Sequence, residues 1–352
     1  MKKTSAEVVI GAIGVDVGDR RSQVCVLDER GEVIEEGSMA TTRSGFEARF
    51  AGLPRCRIVL ETGTHSNWIY AVLVELGHEV LVANARKVRA ISANERKSDR
   101  LDAQMLARLG RLDVKLLRPV HVRREQVRLD LMLLRARAEL VELRTALVNS
   151  THGLSKSAGH RLVKRSPASL HKQPLHPSLE EALRPMLTML EQISREIAEY
   201  DTKLEAVARQ RYPQCELLQQ VAGVGPVTAL YFVLAIDDPK RFASPRDVGA
   251  YFGLVSRRDQ SGSRDPELAI SKAGDRMGRT LLVQCAHHIL GRFGKDSDLR
   301  RFGLKLAARG GTRAKKRAVV ATARKLAVLL LALLRSGEVY EPLRNSAPAT
   351  AA

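Results

Sequence analysis

The sequence predicts a mixed α/β domain followed by a mainly helical remainder. Three observations predict it. Short, β-branched, glycine-punctuated runs fill residues 8–37. Strand-like and helix-like segments then alternate as far as Arg111. From about Val122 onward, apolar residues recur at helical spacing.

Val8 to Val26 reads as strand, turn, strand, with Ile13-Gly14-Val15-Asp16-Val17-Gly18 in the first strand. Asp28-Glu29-Arg30-Gly31 is a hairpin turn, and Glu32 to Gly37 returns as a third strand. Thr42 to Phe50 is helical, with Phe46 and Phe50 four apart. Arg57 to Glu61 is a short buried strand ending in a carboxylate. A helix from Asn67 to Leu76 closes at Gly77, Glu79 to Ala83 is a strand, and Ser98 to Arg111 is a helix. Val127, Leu131, Leu134, Ala138 and Val141 mark a long helix from Val122 to Val148. The Ser-, Lys-, His- and Pro-rich residues 152–177 read as a linker or loop. Leu183, Leu190, Ile197 and Leu204 stripe a second long helix from Ser178 to Arg211, which suggests an antiparallel coiled-coil hairpin. The part from Pro213 is mainly helical, ends in a helix from Thr312 to Arg335, and trails into a Pro/Ala/Ser tail.

Composition narrows the function. Of 352 residues, 58 are Lys or Arg and 39 are Asp or Glu, a net charge of +19. Such a balance is the footprint of a polyanion binder, with nucleic acid the default partner. Only 4% of residues are aromatic, which argues against base-stacking platforms. The longest apolar run, Leu326 to Leu334, falls far short of the roughly 20 residues a membrane span needs. Glu7 and Asp16 interrupt any secretory signal. Cys25, Cys56, Cys215 and Cys285 form no CxxC pair, so a reducing cytoplasm is the expected compartment.

Three segments carry candidate chemistry. Asp16 and Glu61 sit on strands beside glycines, and Asp99 and Asp102 lie three apart on one helix face. Alone, each is an ordinary surface or capping carboxylate; together they suit a hard divalent cation such as Mg²⁺ in phosphoryl transfer. Val221-Ala222-Gly223-Val224-Gly225-Pro226 resembles a helix–hairpin–helix turn, in which Gly223 and Gly225 offer backbone N–H groups to a phosphate; a plain helix connection is the competing reading. Gln260-Ser261-Gly262-Ser263 is a glycine-flanked serine loop, followed by Lys272, Arg276 and Arg279, which could hold a phosphate. Farther on, Arg309 to Arg317, with Arg313, Lys315, Lys316 and Arg317, is a basic tract, either phosphate-binding or a solvated helix start.

These segments, in this order, resemble the DEDD transposases of bacterial insertion sequences, the insertion-sequence one-hundred-ten family of bridge-RNA-guided serine recombinases. The resemblance rests on Val15-Asp16-Val17-Gly18, Leu60-Glu61-Thr62-Gly63, Lys97 to Ala103, Phe252 to Val255, Ser261-Gly262, Gly274-Asp275-Arg276 and Arg279 to Leu282. It implies a RuvC-like RNase H fold over residues 8–115, with Asp16, Glu61, Asp99 and Asp102 as the catalytic metal tetrad. It also implies a long-helix coiled-coil region over 120–211, a helical serine domain over 213–340, and a disordered tail over 341–352. Ser261 is the implied nucleophile, with Ser263 the alternative, because Gln260 and Ser263 stand where the family shows a second serine and a glycine. Gly278 replaces a larger apolar residue and is expected to loosen its helix by roughly 1 kcal/mol. The implied activity is Mg²⁺-assisted DNA strand exchange through a phosphoserine link. A bridge RNA would guide it, within a homo-oligomer (dimer or tetramer), and the two catalytic parts would meet at a composite site. The rival readings are a metal-dependent structure-selective nuclease, a non-catalytic nucleic-acid binder, and last a sugar-kinase-like ATPase.

Overall fold

The computed structural model describes residues 9–84, 98–261 and 268–345. The chain divides into two compact units, Met1–Arg123 and Arg124–Ala352.

The first unit is built on a five-stranded sheet of order β3-β2-β1-β4-β5. Its strands are β1 (Ile10–Asp16), β2 (Arg21–Asp28), β3 (Val33–Ala40), β4 (Arg57–Glu61) and β5 (Glu79–Ala83). The first three form an antiparallel meander, while β1, β4 and β5 run parallel. Asp28 holds the tight β2–β3 turn by accepting the Glu32 N–H at 2.8 Å.

Strand alternation sends side chains to two faces. Ile13, Val15, Ile58 and Leu60 face α1 (Arg43–Phe50) and α2 (Ser66–Glu75), where Phe46, Phe50, Ile69 and Leu73 are fully buried. Cys25, Leu27, Val59 and Ala83 face α3 (Asp99–Leu112) through Ala103, Leu106 and Ala107. Ser98 caps α3 by accepting the Leu101 N–H at 3.3 Å. The helix lies almost on the strand backbone at Gly14. A Cβ there would stand 2.0 Å from the Ala103 carbonyl oxygen, so only glycine permits this approach.

The second unit opens with two long antiparallel helices, α4 (Glu125–Ser157) and α5 (Pro177–Arg211). Buried Asp130 on α4 accepts from the Arg211 guanidinium at 2.6 Å and the Tyr212 hydroxyl at 2.8 Å. Arg137 pairs with Asp201 farther along the hairpin. Residues 152–177, expected as a loop, are partly helical. The first helix runs on to Ser157, and the Ser155 hydroxyl closes it by donating to the His160 carbonyl. Pro167–Lys172 then forms a 3-10 turn whose Leu170 is buried against Leu187 and Leu190. Burial of one leucine outweighs the polar composition of the segment.

The base of this hairpin enters a helical core. Val127, Leu131, Leu134, Leu204 and Ala208 pack there with α7 (Pro226–Ile236), buried throughout from Thr228 to Ile236. Around α7 lie α6 (Gln214–Gln219), α8 (Val248–Tyr251), α9 (Arg276–Leu290), α10 (Asp298–Ala307) and α11 (Gly311–Ser336). Pro342 and Asn345 are hydrogen-bonded to Asp298; residues 346–352 lie outside the described residues. Among the described residues, no helix is long and apolar enough to cross a membrane.

Candidate active site and nucleic-acid interface

The acidic residues come together through sheet register. Val15 pairs with Leu60 in parallel, and one step further puts Asp16 beside Glu61 at the ends of β1 and β4. Alternation places both on the sheet face that carries Gly14 and Val59, the face covered by α3. That helix starts at the same end of the sheet, because its other end reaches Glu29 and Arg57: Arg111 donates to the Glu29 carbonyl and Arg57 donates to the Gly110 carbonyl. Asp102, 5% exposed, precedes the Ala103 that lies on Gly14. Asp99 is exposed at the helix start. Both belong to the first turn, where the helix dipole favours negative charge.

The donor chemistry fits a hard divalent cation: all four are carboxylates, and two stand on adjacent strand ends. Among the described residues, no three His, Cys, Asp or Glu side chains close into one cluster. Strand register alone makes Asp16 and Glu61 neighbours, and Asp99 and Asp102 stand in the first turn of α3.

Ser261 is exposed, and Gly262 and Ser263 lie outside the described residues. The two segments leading into and out of its loop pair antiparallel: Ser256 bridges Ile270, Arg257 N–H donates to the Ala269 carbonyl, and Ser271 N–H donates to the Val255 carbonyl. Asp275 anchors the exit. It caps α9 by accepting the Gly278 N–H at 2.8 Å and accepts the buried Tyr231 hydroxyl at 2.7 Å. Burial and the Asp275 carboxylate push the Tyr231 phenol well above its ordinary range, so this donor keeps its proton. Lys272 and Arg276 are exposed at the loop exit. Arg279 is half-buried and donates to the Phe252 carbonyl at 2.9 Å, so part of its fork serves the fold.

Gly278 lies in the first turn of α9. The Phe252 ring lies against it, and a Cβ would stand 2.3 Å from Phe252 Cε1. The expected cost in helix propensity is exchanged for an aromatic ring packed on helix backbone.

Gly223 turns with a φ of 96° and packs near Ile289, while exposed Gly225 is the N-cap of α7. The turn joins α6 to α7 with Gly225 facing solvent.

A basic groove lies between α10, α11 and the serine-loop segments, with a volume of about 1280 Å³. Arg313, Lys316 and Arg317 line it, as the sequence suggested; Lys315, also exposed, does not. Arg309, which opens the same tract, lines it too, and so do Arg246, Arg324 and Lys325, which were missed. Helical spacing held the signal: Arg313, Arg317, Val320, Arg324 and Val328 recur every three or four residues on one face of α11. The floor is apolar, made by Leu254, Ile270, Phe302, Leu306, Val320 and Val328.

Comparison with known proteins places this arrangement. Residues 13–157 match the family model of DEDD transposases, described as Transposase, and residues 215–302 match that described as Transposase IS116/IS110/IS902 family. The chain is 30% identical over 342 residues to a transposase for insertion sequence element IS1111A from Coxiella burnetii, covering 94% of this chain and 91% of that protein. This chain belongs to the IS110 transposase family. It is an enzyme that cleaves and rejoins DNA. The transposase is also 27% identical over 284 residues to one for insertion sequence element IS1328 from Yersinia enterocolitica, covering 78% and 82%. A pilin gene-inverting protein of Moraxella bovis matches 129 residues at 28% identity, 36% of this transposase and 39% of that protein. Asp16, Glu61 and α3 fall in the first matched region, and Ser261 falls in the second. The α11 wall of the groove lies beyond both.

Proposed function

We propose that this transposase excises and inserts its element through a phosphoserine intermediate, with RuvC-like acids supporting the chemistry under bridge-RNA guidance. The observation that carries this reading is the register that sets Asp16 beside Glu61 on the α3 face, with Asp102 buried on that helix one residue before the Ala103 that lies on Gly14. Asp16, Glu61, Asp99 and Asp102 would hold Mg²⁺, which when bound supplies positive charge to the phosphate oxygens.

The chain's own part is as follows. Ser261 Oγ attacks phosphorus, forming a serine–phosphate bond as the bond to the leaving strand oxygen breaks. The Oγ proton passes to a base and the leaving oxygen takes up a proton, so atoms and charge balance. In the second half, a strand hydroxyl attacks the same phosphorus and releases Ser261. Exposed Lys272 and Arg276 at the loop exit, and the groove cations, hold flanking phosphates. The net charge of +19 suits DNA and a guide RNA together. Exposed Leu143 and Met189 on the long hairpin suit assembly of copies along it.

Expression with the native flanking DNA, followed by amplification of the excised circular junction, tests this. A junction from wild type and none from Ser261→Ala or Asp16→Ala is expected, with a protein–DNA adduct that is absent in Ser261→Ala. A junction that persists in Ser261→Ala removes this serine from the mechanism and favours water as the nucleophile. RNA that copurifies with wild type tests the guide.

A further inference from the structure

The groove between α10, α11 and the serine-loop segments has two features that one ligand must satisfy together. Its rim carries seven Lys and Arg side chains, and no carboxylate lines it among the described residues. Its floor is apolar, and its one aromatic ring, Phe302, lies beneath the Lys325 ammonium at 4.3 Å. A rim of this charge selects a polyanion. A floor of this character selects a partner that brings apolar or π surface with its charge.

A duplex meets only the first requirement. It presents phosphates outward and keeps its bases stacked inside, so it would neutralise the rim and leave Leu306, Val320 and Val328 uncovered. A single strand meets both, because an unpaired base can turn inward while its phosphates stay on the rim. The low aromatic content excludes an extended stacking platform and leaves room for one or two bases on an aliphatic floor. The wall formed by Ser256, Ala269 and Ile270 belongs to the two paired segments that frame the Ser261 loop. A strand in the groove therefore runs beside these segments.

We propose that this groove binds single-stranded DNA, with at least one unstacked base on its apolar floor, and holds the strand next to the paired segments that lead to Ser261. The choice of DNA rests on the reading of Ser261 as a DNA nucleophile. The groove is then where a strand freed from its duplex waits between cleavage and rejoining.

The purified full-length protein is titrated with four labelled 12-nucleotide probes followed by fluorescence anisotropy. They are a single DNA strand, the same strand with its central bases removed, the blunt duplex, and the RNA of the same sequence. The intact DNA strand is expected to bind most tightly, and removal of its bases to weaken it about tenfold. Arg313→Ala with Lys316→Ala should weaken that strand about tenfold or more, whereas Lys315→Ala, on the same helix outside the groove, should change it less than about twofold. Leu306→Gln should weaken the intact strand and leave the base-free strand unchanged. Equal binding of duplex and single strand, no loss on removing bases, tighter binding of RNA, or an equal effect of Lys315→Ala would each overturn the proposal. Binding needs no strand cleavage. Failure here leaves the junction experiment unaffected, and failure there leaves these affinities readable.

Discussion

Gly278 shows how one residue reverses its meaning between sequence and structure. By helix propensity alone, Gly278→Ala stabilises α9 by roughly 1 kcal/mol. The Phe252 ring occupies the space that a methyl group would need. Phe252 is fully buried and also touches Phe232 and Tyr251, so it has no free direction in which to yield. Overpacking of this kind costs about 1–3 kcal/mol, which exceeds the propensity gain. Gly278→Ala is therefore expected to lower the denaturant midpoint; a raised midpoint would mean that the ring moves aside. The sequence marked the position as unusual. It held no sign of the ring, because Phe252 is 26 residues away and the contact exists only after the serine loop has folded back.

At the scale of elements, the long hairpin depends on one buried carboxylate. Asp130 is 1% exposed and accepts from Arg211, Tyr212 and Gln126. Removing it leaves a guanidinium and a phenol at the hairpin base without their acceptor. Arg211 is half exposed and can turn to water, whereas the buried Tyr212 hydroxyl cannot, and leaving such a donor unsatisfied costs about 1–3 kcal/mol. Asp130→Ala should reduce stability by that order in urea unfolding, whereas Glu142→Ala, exposed midway along the same helix, should change it little. The strands and helices around the acids were legible in the sequence because β-branched alternation and capping residues are local signals. The continuation of α4 through residues 152–157 was not. Its support comes from buried Thr151 and Ser155, polar residues that a sequence reading assigns to loops. The acidic site was legible in its residue types. Its arrangement was not, since the pairing of Asp16 with Glu61 is a matter of register between strands about 45 residues apart.

For the whole molecule, two separate cores replace one. The sheet core closes within Met1–Arg123, and the helical core closes around α7 within Arg124–Ala352. A fragment spanning residues 124–352 should accordingly fold by itself, with helical circular dichroism and a cooperative thermal transition. A broad, non-cooperative melt would show that its core needs the sheet unit. The charge of +19 was legible at once, and the groove that concentrates it was not, because its apolar floor and Arg246 join the cations of residues 309–325 only in the folded chain.

The hairpin of α4 and α5 leaves the helical core and returns to it at one place. Its length is thus uncoupled from the packing of the rest. Inserting two helical turns, about seven residues, in each arm would carry the tip about 10 Å outward without moving a residue of the base. The reach of this arm is therefore a dimension that evolution can adjust like a ruler, lengthening or shortening the span between whatever its tip touches and the serine-bearing core while the catalytic parts stay as they are.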